Sequence, residues 1–294
     1  MTDRVWRCAG LRWAPGGPLL VWDGGRCSAV VRGKRVGFAV VAGGGRTCVG
    51  ARGHPCAGEV PVSARSTGAR CEECARLDRA HSVAADTLAD DPRPYRVYLA
   101  WFGPGMVKVG ITAAGRGPAR LLEQGAVCFT WLGTGPLMAA RRTEEMLRAA
   151  LGVPDRIPYG AKRAVRAALP GGADERAAEI AEVHARAVAL DGWPESLAAE
   201  PFRAVDHVPD FGLAGAPPAV GEVTGLVPGG AVDGELVAVA GPDLHLATGR
   251  GVVVLDTRLM RGWGLVSARD GGAGGFPVRE WRGPGGGGLQ DGLF

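Results

Sequence analysis

An α+β fold is predicted for this 294-residue chain, with a small mixed α/β core in its middle. Three observations predict it. Residues 1–47 and 234–269 read as short strands of β-branched and apolar residues broken by glycine turns. Residues 95–151 follow the order strand, turn, strand, helix, strand, helix. From 137 to 151 and from 160 to 192 the apolar positions recur at helical spacing.

The N-terminal strands are expected at LLVWDGG, CSAVVRG and RVGFAVVAGGG. Residues 48–90 hold a cysteine cluster and then a polar helical stretch, ARLDRAHSVAADTLAD. Asp91-Pro92-Arg93-Pro94 marks a boundary, because each proline disfavours helix at the residue before it. The central unit is therefore 91–192. Residues 193–233 read as a Pro/Gly-rich connection. Strands are expected again at ELVAVAG, LHLATG, GVVVLDTRL and GWGLVSA, giving a small β unit within 193–269. The glycine-rich tail, 270–294, is expected to lack structure. The first unit, with its cysteines, spans 1–90.

The chain is 46% hydrophobic and 22% charged, which suits a globular protein with a core. It has no apolar run long enough to span a bilayer and no N-terminal signal-peptide pattern, so a cytoplasmic location is expected. Its five histidines show no H-E-x-x-H spacing. No Walker loop, G-x-S-x-G or dinucleotide-binding glycine pattern stands in a fitting context. The net charge of +4 is unevenly spread: Pro92–Leu169 carries twelve basic and four acidic residues, and Pro170 onward nine basic and seventeen acidic. A basic middle suits a polyanion such as nucleic acid. It equally suits a protein whose acidic C-terminal part covers its own basic core, as in an interaction scaffold.

Cys48, Cys56, Cys71 and Cys74 fall close together. Cys71-Glu-Glu-Cys74 has the C-x-x-C spacing that places two thiolates on one tetrahedral metal, and two upstream cysteines would complete a structural four-cysteine zinc site. His54 competes with Cys48 for the fourth position. Cys8, Cys27 and Cys128 read as buried small hydrophobes.

In the central unit, Gly103-Pro104-Gly105 closes a hairpin. Its register sets Tyr98 opposite Gly110 and Ala100 opposite Lys108. Tyr98, Lys108, Gly110 and Thr112 then share one face, and Val97, Leu99, Val107, Val109 and Ile111 the other. On the later helix, Leu137, Ala140, Leu147 and Leu151 form a stripe with Glu144 in its middle. A lone carboxylate there needs a metal ion, an arginine or a shared proton. A buried pair with Arg120 is the structural alternative. Lys162, Arg163 and Arg166 form a basic helix face, either solvated or contacting phosphate. Gln124 is either solvated or reads a ligand edge.

VYL and KVGIT are similar to the paired motifs of the GIY-YIG nuclease superfamily, especially divergent members with a lysine in the second motif. Arg120 resembles the superfamily arginine, and Glu144 its metal-binding glutamate. The chain as a whole resembles domain-of-unknown-function family 2797. That resemblance rests on Cys71-Glu-Glu-Cys74, VYLA, KVGIT, the RLLEQGA segment ending at Ala126, Glu144 followed by Leu147, and ELVAVAGPDLHL with VVVLDTRLMRGWG. The nuclease resemblance implies a GIY-YIG-like core and phosphodiester hydrolysis of DNA or RNA. Glu144 would hold Mg2+ or Mn2+, Arg120 would offset phosphate charge, and Tyr98 would orient or activate water. Lys108 stands where active nucleases carry a tyrosine often assigned as general base. It serves as a base only if its pKa is depressed by burial or by Arg116 and Arg120; otherwise it contacts phosphate. Lys108, Thr112, Arg116, Arg120, Lys162 and Arg166 are the expected nucleic-acid contacts. A zinc-containing nucleic-acid-binding module without cleavage is the alternative.

Overall fold

Short strands with one apolar face are not stable alone, and those at the two ends of this chain meet in one sheet. The computed structural model describes residues 4–80, 91–268 and 274–281. N-terminal strands β1 (Trp6–Ala14), β2 (Gly17–Trp22), β3 (Cys27–Ala29) and β4 (Arg35–Val40) precede helix α1 (Glu72–Ala80). The central elements are β5 (Tyr95–Trp101), β6 (Val107–Ala113), α2 (Ala119–Gln124), β7 (Cys128–Gly135), α3 (Leu137–Leu151), α4 (Tyr159–Val165) and α5 (Ala173–Val188). Short β8 (Ala198–Ala199), β9 (Val205–Asp206) and α6 (Val208–Phe211) follow. The C-terminal elements are β10 (Ala219–Val223), β11 (Gly230–Ala240), β12 (Asp243–Thr248), β13 (Gly251–Asp256), α7 (Thr257–Met260), β14 (Gly264–Ser267), β15 (Gly274–Gly275) and β16 (Val278–Glu280).

The fold is α+β with two sheets. The larger runs β16-β10-β13-β12-β11-β4-β14-β1-β2-β3, with β15 on β11. The strands expected in separate units, 1–90 and 193–269, thus belong to one sheet, joined where β4 pairs with β11 and β14. Each partial set leaves an unpaired edge at this point, and the pairing of β4 removes it. Trp13, Trp22, Phe38, Leu236, Leu246 and Leu255 share its core. β10 lies inside the expected connection and pairs in parallel with β13. Of the tail expected to lack structure, residues 274–281 form β15 and β16 around the buried Phe276. The remainder of that tail, and residues 81–90 of the expected polar helix, lie outside the described residues.

The smaller sheet runs β6-β5-β7-β8, with β9 also on β7. Its hairpin has the register read from the sequence: Tyr98 faces Gly110 and Ala100 faces Lys108. Gly103 and Gly105 adopt positive φ in the turn, where a side chain would be strained. The face bearing Val97, Leu99, Val107 and Val109 packs against α3 and α5 through Leu137, Leu147 and Ile180. The opposite face, with Tyr98, Ala100 and Phe102, packs against Leu121 of α2. No helix among the described residues is long and apolar enough to cross a membrane.

Two expectations are corrected here. The buried face of α3 is Leu137, Ala140, Thr143 and Leu147. Glu144 lies at its margin, half-buried and facing a cavity. Thr143 occupies the core because its hydroxyl donates to the Ala139 carbonyl at 3.0 Å, which satisfies it within the helix. Cys8 and Cys128 are buried as expected, whereas Cys27 is exposed, on a β3 whose three residues are all exposed.

Candidate functional site

β6 is an edge strand, and a cavity of about 1060 Å³ lies beside it. The walls come from β5, β6, α2, α3, the segment 155–158, α4 and α7. Tyr98, Lys108, Arg120 and Glu144, brought from four different elements, all line this cavity. Tyr98 and Lys108 form a buried floor, while Arg120 is exposed at the rim.

Gly110 makes the floor possible. A Cβ there would stand 2.3 Å from the Tyr98 hydroxyl oxygen, so the phenol folds across the strand only because residue 110 has no side chain. Gln124 then fixes the phenol. Its Nε2 donates to the Arg120 carbonyl at 3.2 Å and to the Tyr98 oxygen at 2.9 Å. The bond to a carbonyl identifies that atom as the amide nitrogen, so the Tyr98 oxygen accepts and its own proton remains available to another acceptor. Burial raises the Tyr98 pKa, which keeps the phenol protonated at neutral pH.

The Lys108 ammonium donates to the Asp155 carbonyl at 3.0 Å. Burial first, and then the Arg120 charge, lower its pKa to about 8. Arg116 is not the cause: it pairs with Glu123 at 2.6 Å, half-exposed, outside the cavity lining. Glu144 has its pKa raised by burial and by the Asp155 carboxylate, with Lys108 opposing. It forms no ion pair with Arg120 or with any other described residue, so the structural alternative of a buried pair is not what holds it.

Of the other expected nucleic-acid contacts, Lys162 lies on the cavity floor. Its ammonium donates to the Gln124 carbonyl at 3.2 Å and sits 3.8 Å from the Phe102 ring centroid. Burial and four neighbouring cations, Lys108 foremost, lower its pKa to about 7. Thr112 is buried on the Tyr98 face but does not line the cavity. Arg166 is corrected outright. It is buried, donates to Asp243 at 2.6 Å and to the Ala240 carbonyl, and has no free face for a ligand. Arg163 likewise binds Asp243, Asp256 and Glu222. Arg163 and Arg166 are thus neither solvated nor free: they dock on the larger sheet, while Lys162 of the same helix turns to the cavity. Burial pushes the Asp243 carboxyl up, but Arg166 and Arg163 outweigh that and hold it ionised.

Sequence reasoning missed Arg141, Asp155, Arg156, Tyr159 and Arg258 in the cavity lining. Arg141 was legible, standing three residues before Glu144 on the same helix. Arg258 was not, since it arrives from α7 beside the other sheet; it stacks 4.1 Å from the Tyr159 ring centroid and is held by Asp256 at 2.6 Å. Seven basic side chains and four carboxylates line the cavity, which leaves its lining basic on balance.

A second cluster lies apart from this cavity. The sulfurs of Cys48, Cys56, Cys71 and Cys74 lie within 4.8 Å of one another. Tetrahedral zinc with bonds of about 2.3 Å spaces its sulfurs about 3.8 Å apart, so the set fits a metal ion such as zinc. Cys48, rather than the exposed His54, completes it. Cys48 accepts backbone N–H bonds from Gly50 and Cys71 at 3.3 and 3.2 Å, which fix its sulfur in the cluster. N–H groups of Val60 and Gly58 lower the Cys56 pKa to about 7, while burial and the neighbouring thiols push Cys74 up to about 12. Four thiols this close ionise together only beside a cation. Gly50 is required in the loop, because a Cβ there would stand 1.9 Å from the His54 carbonyl oxygen. Arg46 ties the loop down, donating to the carbonyls of Ser63, Ser66, Arg258 and Arg261.

Neither a curated protein nor a solved structure matches the chain. Residues 34–265 match one family, described as protein of unknown function DUF2797. That span runs from the β4 strand through the cysteine cluster and the cavity to β14, and the chain belongs to the DUF2797 family.

Proposed function

We propose that this protein is a metal-dependent nuclease-like enzyme acting on DNA or RNA phosphodiesters, with a GIY-YIG-like central domain. One observation carries the reading: a phenol, a lysine with lowered pKa, a guanidinium and a carboxylate with no ion-pair partner among the described residues meet in one basic cavity. Glu144 would hold a divalent cation, Mg2+ or Mn2+. That ion would supply charge neutralisation of the scissile phosphate and the leaving oxygen.

The protein's own groups take the remaining roles. Arg120, at the rim, binds the phosphate and offsets charge that grows during displacement. Lys108, neutral in part near pH 8, accepts a proton from the attacking water. Tyr98, with its oxygen held by Gln124, points its proton at a phosphate oxygen or at that water. The cysteine cluster holds zinc as a structural ion and takes no part in the reaction.

Incubation with single-stranded, duplex and branched DNA and RNA in Mg2+ or Mn2+ tests the reading. Cleavage is expected from the wild type and not from Glu144→Ala. A wild type that cuts nothing across the panel overturns it. The capture of the Lys108 ammonium by the Asp155 carbonyl favours a second reading, a nucleic-acid-binding module without cleavage. In that case Glu144→Ala binds as well as the wild type, while neutralising Lys108 and Arg120 weakens binding.

A further inference from the structure

We propose that the substrate reaches this cavity as a single strand or an unpaired end, and that duplex nucleic acid is excluded from its floor; this rests on the nuclease-like reading above. The groups assigned to chemistry lie deep. Tyr98 is 2% exposed and Lys108 7%, and the phenol lies flat against Gly110. A phosphate must therefore pass the rim, at Arg120 and Arg156, to reach them.

The cavity is small beside a double helix. A volume of about 1060 Å³ corresponds to a linear dimension of about 10 Å, below even the roughly 12 Å width of the B-DNA major groove. The far wall is fixed rather than hinged. Tyr159 donates to the Glu123 carbonyl at 2.8 Å, and Arg258 stacks on its ring. Both are backed by the buried network of Arg163, Asp243 and Asp256 that joins the two sheets. A duplex presents its phosphates on a wide, stiff cylinder, which could touch Arg120 without bringing a linkage to Lys108. A flexible single strand can bend its backbone inward and leave its bases at the rim.

The test is fluorescence anisotropy at one fixed salt concentration. The probes are a labelled single-stranded oligonucleotide, the same strand in a blunt duplex, and that duplex with a single-stranded overhang. The single strand and the overhang are expected to bind at least tenfold more tightly than the blunt duplex. Lys108→Met should weaken single-strand binding about tenfold and change duplex binding less than twofold, because only the single strand reaches the floor. Equal affinity for single strand and blunt duplex overturns the inference, as does an equal loss for both in Lys108→Met; cleavage of the duplex in either case would leave the nuclease reading standing. Binding to none of the three probes overturns both.

Discussion

Two groups of cations from the same basic segment end in opposite situations. Arg163 and Arg166, on and just after α4, are buried against Asp243, Asp256 and Glu222 of the larger sheet. Lys108 and Arg120, earlier in the segment, face a cavity in which the half-buried carboxylate of Glu144 pairs with neither. The first group is structural: each charge has its counter-charge, and the network fastens the central unit to the terminal sheet. Lys108 and Arg120 form no ion pair among the described residues. Arginine density alone does not mark a functional site; what marks it is whether the fold has already supplied the partner.

Removing a partner from the first group should have the largest effect on stability. Asp243 is fully buried, so Asp243→Ala leaves two guanidinium groups without their shared carboxylate. A loss of about 3–5 kcal/mol is expected in urea denaturation. A loss under about 1 kcal/mol would erase the contrast. Glu144 should behave oppositely. Its folded pKa is raised, so the folded state holds the proton more tightly than the unfolded state, and stability falls as pH rises between the unfolded and folded values. Above that window the carboxylate is a net cost. Glu144→Gln is therefore expected to melt no lower than the wild type at pH 8, a direction that calorimetry reads directly.

The hairpin, its register and the cysteine set were legible in sequence because each is local: glycines close the turn, alternation sets the faces, and a C-x-x-C spacing fixes two sulfurs. Contacts made far along the chain were not legible. Arg163 meets Asp243 eighty residues later, and nothing near either residue announces the other. Thr143 misled in a different way. A hydroxyl satisfied by its own helix packs like an apolar group, which moved the buried face one position away from Glu144. The charge of Arg166 is visible in the sequence, but not the buried Asp243 that neutralises it.

Lys108 sharpens the comparison through pH. Its folded pKa is lowered to about 8 from 10.5. Between those values the unfolded chain binds more protons, so this group adds stability as pH rises from about 8. If Lys108 is the base, kcat/KM for cleavage should rise with pH and level off above about 8, and Lys108→Arg should remove that limb. A profile unchanged in the variant would assign Lys108 to phosphate contact alone. The smallest effect belongs to Arg116, which lies outside the cavity lining and pairs, half-exposed, with the lining residue Glu123. Arg116→Ala should shift stability by under about 1 kcal/mol and leave cleavage unchanged; a large loss of cleavage would extend the site beyond the cavity.

The most direct measurement is the single-turnover rate on a labelled single-stranded oligonucleotide in Mg2+ or Mn2+, for the wild type and for Glu144→Gln with its zinc content and melting temperature matched. Cleavage by the wild type that stops on chelation of the added cation is expected, with a loss of at least about 100-fold in the variant. Equal rates for the two proteins would contradict it, because the unpaired carboxylate would then have no part in the chemistry of the cavity.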